Sequence, residues 1–545
     1  MINRLQISEL QDLVGKETLQ RLATIIQFIP NSGIDHPNDI YEKQNLERIF
    51  LSFSGQDAFQ KEAFRKKMIS RLSDKELRTL AQRMGLSDTL PFSELVDLIS
   101  SRPWSDNPET KIFIEFFRLP TSYIPSARTV IPNLETVRKP ESPFKTLKDY
   151  QSEIFLKVEK RLENPLQRIL IQMPTGSGKT RTAMEIICAE LNKYPGKSTI
   201  WIANSEELCE QAVECFRDVW AHLGTFDVDI IRAWGQNDVK YPLNSSFIVA
   251  GFAKLHLAFK KNPELAKVIS NNLVLLIIDE AHQVMAPTYK VVVTKLREDN
   301  FNIHMLGLTA TPGRGNLDNE ETRELIGFFS GNRIDIESGN KTVFQYLRQK
   351  KILAHIEKDP LHTNMTFELT PFEKKYLKTH YDFPMEFLER ISLDDMRNLE
   401  IIKKLKKECE LKKKILFFAG SINQSKFICA LLNFMGYRAE HLDGTTKRDR
   451  RRNIIREFKE GDLNIICNFG VLTTGFDAPK IDVVFIGRPT MSIVLYSQMV
   501  GRGLRGPAIG GKESCKLIDV IDNIDAYTSP DNVYEYFAEY WEKNV

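Results

Sequence analysis

Two short stretches of this sequence are equipped for chemistry: Met173-Pro-Thr-Gly-Ser-Gly-Lys-Thr180 and Ile277-Ile-Asp-Glu-Ala-His282. In the first, Thr175, Gly176, Ser177 and Gly178 form a loop whose glycines let the backbone curl, so that its N–H groups converge on phosphate oxygens. Lys179 supplies a point charge for the outer phosphates, and the Thr180 hydroxyl is a magnesium ligand. In the second, Asp279 holds the same magnesium and Glu280 polarises the attacking water. Together they predict binding and hydrolysis of a nucleoside triphosphate, with ATP and Mg2+ as the cofactors. The strict pattern has glycine at position 173, and here it is methionine. That position makes no phosphate contact by itself.

These groups work only if strands and helices aim them. Arg168–Gln172 has the pattern of a short buried strand ending at the loop. The segment 181–191 is predicted as a helix whose positive N-terminal end faces the same anion. Leu273-Val-Leu-Leu-Ile-Ile278 is too apolar for an edge strand and suits the middle of a parallel sheet covered on both faces. Further strands are predicted at 199–203, 228–232, 247–250 and 303–308, alternating with helices. A second alternating block has strands at 414–419, 437–441, 464–468, 483–486 and 516–521. This alternation predicts an α/β chain with two tandem RecA-like lobes, at 144–318 and 399–545. A largely helical, polar connector is expected at 319–398. Residues 1–143 read as an all-helical accessory domain. Ser73-Asp-Lys-Glu76 is a capping box, followed by Leu77, Leu80, Ala81 and Met84 and closed by Gly85. Another short helix is expected over 92–99. This domain either recruits a partner or DNA, or braces lobe one.

A third segment, Gln498-Met-Val-Gly-Arg-Gly-Leu-Arg505, places two arginines beside paired glycines. Arginine rather than lysine at both positions suits bidentate phosphate recognition. With it, the motif order over roughly 144–525 resembles superfamily 2 helicases and translocases of the DEAH type. The restriction-enzyme motor, RadD-like and XPB-like branch is the nearest in look. Leu147-Lys-Asp-Tyr-Gln151, 201–211, 249–255, Leu308-Thr-Ala-Thr-Pro-Gly-Arg314, 415–421 and Leu472-Thr-Thr-Gly-Phe-Asp477 fall where that family has its motifs. The resemblance implies that Gln151 reads the adenine edge and that Gly475 and Asp477 contribute to the nucleotide site. It implies that Arg505 is an arginine finger, Arg502 a second phosphate contact and Gln498 an orienting group. His282, Thr309 and Thr311 would couple hydrolysis to strand movement. RadD-like proteins carry a cysteine cluster near the C-terminus that this chain lacks.

Composition narrows the class. The 545 residues are 42% hydrophobic and 27% charged, ordinary for a globular chain of about three domains. No apolar stretch of ~18 residues exists, so no membrane span is expected, and the N-terminus does not read as a signal peptide. Seven scattered cysteines point to a reducing compartment, the cytoplasm. A net charge of +3 proves no partner; such motors use a local groove. No nuclease pattern is present. The form of the 498–505 motif resembles DNA-directed members, making nucleic acid, most of all DNA, the expected partner, with a protein partner bound through 1–143. A DNA helicase, a duplex translocase serving a restriction, defence or repair complex, an RNA helicase and a scaffold with a dead site are the readings compared. The four residues Lys179, Asp279, Glu280 and Arg505 argue against the last.

Overall fold

A computed structural model describes residues 4–30, 36–119, 123–125, 134–137, 144–165, 167–242, 244–298, 300, 302–310, 320–380, 382–461, 463–473 and 480–524. The first lobe is built on β1 (Leu134–Val137), β2 (Arg168–Gln172), β3 (Ser198–Ala203), β4 (Val228–Ala233), β5 (Ser246–Gly251), β6 (Leu273–Ile278), β7 (His304–Thr309) and β8 (Arg333–Asp335). They lie in the order β1-β4-β5-β3-β6-β7-β2-β8. Every pairing is parallel except β1 with β4. The apolar run of β6 therefore sits between β3 and β7, buried on both faces as its sequence requires.

The second lobe uses β9 (His355–Lys358), β10 (Leu361–Phe367), β11 (Ile415–Phe418), β12 (Ala439–Leu442), β13 (Ile465–Asn468), β14 (Val483–Ile486) and β15 (Ser514–Ile524). Their order is β10-β15-β14-β11-β13-β12, with β9 also on β15. All these pairings are parallel.

The stretch expected to be a helical connector differs from that expectation. It holds helices, but its strand β8 extends the first sheet, and β9 and β10 line the same edge of β15 in succession. The crossing chain is thus sewn into both sheets. Likewise β1, from residues assigned to the accessory domain, closes the far edge of the first sheet. β1, β8 and β9 are three or four residues long and carry too little periodic signal to be seen beforehand, whereas β10 alternates, with Leu361, Thr363, Met365 and Phe367 on its more buried face, and is not among the expected strands.

The N-terminal helices form as their caps dictate. Ser73 accepts from the Glu76 N–H, and Glu76 returns a bond to the Ser73 N–H at 2.8 Å. Leu77, Leu80 and Ala81 are buried, and Gly85 ends the turn with φ +69°. Arg65, itself buried, donates to the carbonyls of Phe59, Gln60, Ser100 and Arg102 and locks this bundle. The bracing reading placed this domain on lobe one; the structure packs it on lobe two. Its core is continuous with Ile401, Ile402, Phe427, Ile428 and Leu431 of that lobe. Arg21 bonds Asp395 at 2.9 Å and lies 4.8 Å over the Phe427 ring, while Arg48 donates to the Phe434 carbonyl at 2.7 Å. Inside lobe two, Arg397 is wholly buried and forks onto Asp522 at 2.9 and 3.0 Å, with a third bond to the Gly487 carbonyl. No helix among the described residues is long and apolar enough to cross a membrane.

Candidate functional site

Three adjacent strands, β6, β7 and β2, deliver their carboxyl ends to one place. This is where open parallel sheets bind ligands. From β2 the chain turns through Gly176 (φ +83°) and Gly178 (φ +89°) into the helix Lys179–Lys193. Both glycines hold left-handed conformations that L side chains rarely adopt. A Cβ on Gly178 would also come within 2.3 Å of the Gln151 amide.

Met173 now has a physical account. Its side chain is fully buried in the core of lobe one, and its N–H donates to the Thr309 carbonyl at 3.0 Å. The residue is an apolar anchor between β2 and β7, a role that needs a side chain and not a glycine. Its carbonyl accepts from Lys179 Nζ at 3.2 Å. Behind the loop, Tyr150 donates to the Ser177 carbonyl at 2.6 Å. Gln151 donates to the Gly178 carbonyl at 3.3 Å and accepts from the Lys148 N–H at 2.9 Å. In this conformation Gln151 therefore props the loop. Tyr150 was not singled out beforehand, because one tyrosine on an amphipathic helix looks like core.

At the end of β6, Asp279 is buried and accepts from the Glu280 N–H at 3.0 Å. Burial, with Glu280 beside it, pushes the Asp279 carboxyl well above its ordinary range, against the pull of Lys179. Glu280 has φ +48°, a left-handed conformation unusual for a side-chain-bearing residue. That twist begins the 3-10 turn Ala281–Met285 and carries His282 inward. His282 Nδ1 lies 3.5 Å from both Glu280 Oε2 and Thr309 Oγ1, linking the ends of β6 and β7.

Lobe two supplies the opposite wall. Gln498 is nearly buried on the helix Ile493–Val500, after which the chain turns at Gly501. Gly501 packs so closely on the loop that an added Cβ would lie 2.5 Å from Thr175 Cγ2. Arg502 donates to the Thr473 carbonyl at 2.7 Å and to the Gln498 carbonyl at 3.3 Å. Arg505 is held by a bridge to Leu353, and its Cγ would meet a Cβ built on Gly176 at 3.7 Å. The crossing segment thus presents the 498–505 motif, motif VI hereafter, to the cradle, which sequence spacing did not reveal.

The charges suit a polyphosphate. Lys179, Arg502 and Arg505 keep some solvent access but are enclosed on most sides. Burial draws Lys179 down, opposed by Glu280 and Asp279. It lowers both arginines to about 10, which leaves them charged at neutral pH. Three basic side chains, two of them arginines that stay charged, stand against two carboxyls in a desolvated cleft, a balance that suits an anion. Thr180, in the first turn of the helix that follows β2, and Asp279, at the end of β6 with β7 between the two strands, are oxygen donors of the kind magnesium prefers. Thr311, Gly475 and Asp477 lie outside the described residues.

The basic run 447–452 is partly consumed by protein. Lys447 donates to Gln60 of the N-terminal helices at 2.9 Å, Arg450 pairs with Glu440 at 3.3 Å, and Arg451 pairs with Glu207 of lobe one.

The family description "Type III restriction enzyme, res subunit" matches residues 144–314, and "Helicase conserved C-terminal domain" matches 398–506. A 51.5 kDa protein of a Lactococcus phage (isolate 7-9) is 24% identical over 392 residues, 69% of this chain and 71% of that protein. IRC3 of Saccharomyces cerevisiae, named as an ATP-dependent helicase, is 27% identical over 394 residues, 69% of this chain but 51% of its own length. Among solved structures, a fragment of an HsdR subunit of a type I restriction enzyme from Vibrio vulnificus YJ016 aligns with TM-score 0.50 and 18% identity, over 80% of this chain and 73% of that one. That likeness concerns the fold.

Proposed function

The chain belongs to the superfamily 2 helicases and translocases, enzymes that hydrolyse ATP, and on that premise we propose that it is a DNA-directed motor working by closure of its two lobes. The observation that carries the proposal is the approach of motif VI to the phosphate cradle, with Arg505 alongside Gly176 and Gly501 against Thr175. Bound ATP with Mg2+ would supply the transferable phosphoryl group and the charge that holds the lobes together. Lys179 and the loop N–H groups bind the phosphates, while Thr180 and Asp279 would hold the cation. Glu280, fixed by its left-handed backbone, orients water and accepts its proton. Arg505 and Arg502 neutralise charge that develops during transfer, an effect worth about 10³–10⁵ in rate for such arginines. Their dependence on lobe closure ties hydrolysis to movement, because loss of the outer phosphate removes what both walls hold. His282 and Thr309 relay the change to the strand ends. Thr311, Gly475 and Asp477 extend the same assignments by resemblance.

Gln498 at the head of motif VI, where RNA-directed relatives usually carry histidine, supports DNA. Grip on the backbone by segments 201–211 and 249–255 of one lobe and 415–421 of the other gives sequence-tolerant, salt-sensitive binding. A partner protein would attach through residues 1–143, whose described helices sit on lobe two. Seven cysteines, all free, suit a reducing compartment such as the cytoplasm. The test is ATP turnover measured in parallel with single-stranded DNA, duplex DNA and RNA at low and high salt. Stimulation by single-stranded DNA supports a strand-separating helicase, and stimulation by duplex alone supports a translocase. Stimulation by RNA alone overturns the DNA assignment.

A further inference from the structure

Two helices from opposite lobes meet beside the cleft, Glu206–Leu223 of lobe one and Arg448–Glu460 of lobe two. At their leading ends Arg451 pairs with Glu207. Leu208, Cys215 and Ile455 of the same two helices pack, half-buried, on the apolar cluster that runs through both lobes. Arg451 is fixed from its own side by a second bond, to the Asp443 carbonyl at 3.1 Å. Arg451 therefore ties an anchor in lobe two to the first turn of a helix in lobe one.

We propose that the Glu207–Arg451 pair acts as a charge zipper between the lobes that positions Arg502 and Arg505 over the phosphate cradle. This deepens the closure reading and rests on it. The two residues act through the placing of the lobes and are positioning residues. Their attraction shortens the search of lobe two for the closed arrangement, and its partial exposure (14% for the Arg451 side chain, 36% for Glu207) makes closure salt-sensitive. Screening acts over about 10 Å at 0.1 M salt, enough to weaken such pairs. Exposed pairs contribute little singly, and reversing one charge replaces attraction with repulsion, so an effect of about fivefold is expected.

The experiment uses the full chain without nucleic acid, labelled with one fluorophore on each lobe. Energy transfer between them is followed as a non-hydrolysable ATP analogue is added, and KM and kcat for ATP are measured in parallel. At low salt Glu207→Arg and Arg451→Glu should each weaken analogue-driven closure and raise the KM for ATP about fivefold. The double variant, with the charges exchanged, should recover both. High salt should make the unaltered chain resemble the single variants. The proposal is overturned if the single variants close like the unaltered chain, or if the exchanged pair is no better than either single change. A chain that closes on the analogue but never hydrolyses ATP would defeat the hydrolytic reading, while the closure signal still decides the zipper.

Discussion

Gly501→Ala is the sharpest probe of the closed cleft. The added methyl would lie 2.5 Å from Thr175 Cγ2 and 2.7 Å from Thr175 Cβ. Carbon atoms rest at about 3.5–4.0 Å, so motif VI must retreat by roughly 1 Å. The backbone at 501 has φ −56°, which alanine adopts without strain, so the methyl and not the dihedral is the perturbation. A misplacement of about 1 Å costs on the order of 10²-fold in a positioned reaction, or about 2.7 kcal/mol of barrier. The expected result is a kcat for ATP lowered by about two orders of magnitude with nucleotide still bound, because lobe one carries the cradle. Steady-state turnover with equilibrium binding of a fluorescent ATP analogue measures both. A kcat within about threefold of the parent would refute the reasoning, because it would mean that Arg502 and Arg505 are not held at this distance during turnover.

Lys179→Ala should abolish turnover and weaken ATP binding, whereas Glu280→Gln should bind ATP and fail to hydrolyse it; binding and product release assayed on the same samples separate the two. Arg397→Ala leaves Asp522 buried without its forked partner, and about 3–5 kcal/mol of stability should be lost, read as a fall in the denaturant midpoint of lobe two. The N-terminal bundle should loosen in acid. Arg4, with Ser73, holds the Glu76 carboxyl down to about 2 from 4.5, and Arg71 and Lys67 depress Glu9 as well. Carboxyls depressed in the folded state stabilise it above the unfolded value and lose that contribution as pH falls from about 4.5 toward 2. Amide exchange in residues 4–83 should rise over that window, and a flat profile would show that these pairs do not hold the bundle.

Much was legible because the chemistry is local. A strand, a glycine loop and a helix in succession make a phosphate site, and Met173-to-Thr180 carries all of its backbone demands. The β6 run ending in Asp279 and Glu280 is local in the same way. Its six apolar residues require two covered faces, hence the centre of a parallel sheet. The capping box at Ser73 specified a helix start from four residues.

Only the tertiary structure could decide what depends on distant partners. Met173 looked like a departure from a motif until β7 lay beside it and its side chain proved to be core. Gln151 and Tyr150 prop a loop that begins more than twenty residues later. The crossing strands β9 and β10 pair with β15, more than 150 residues downstream, and the helical domain sits on lobe two although lobe one follows it in sequence. A strand's alternation, as in β10, can show that it is a strand but not which distant strand it pairs with. The sequence by itself determined which side chains have the chemistry proposed to bind phosphate, hold a cation and orient water. The distance from Arg505 to the glycine loop, on which the proposed hydrolysis turns, was set by packing between lobes, because a charge acts through space and not along the chain.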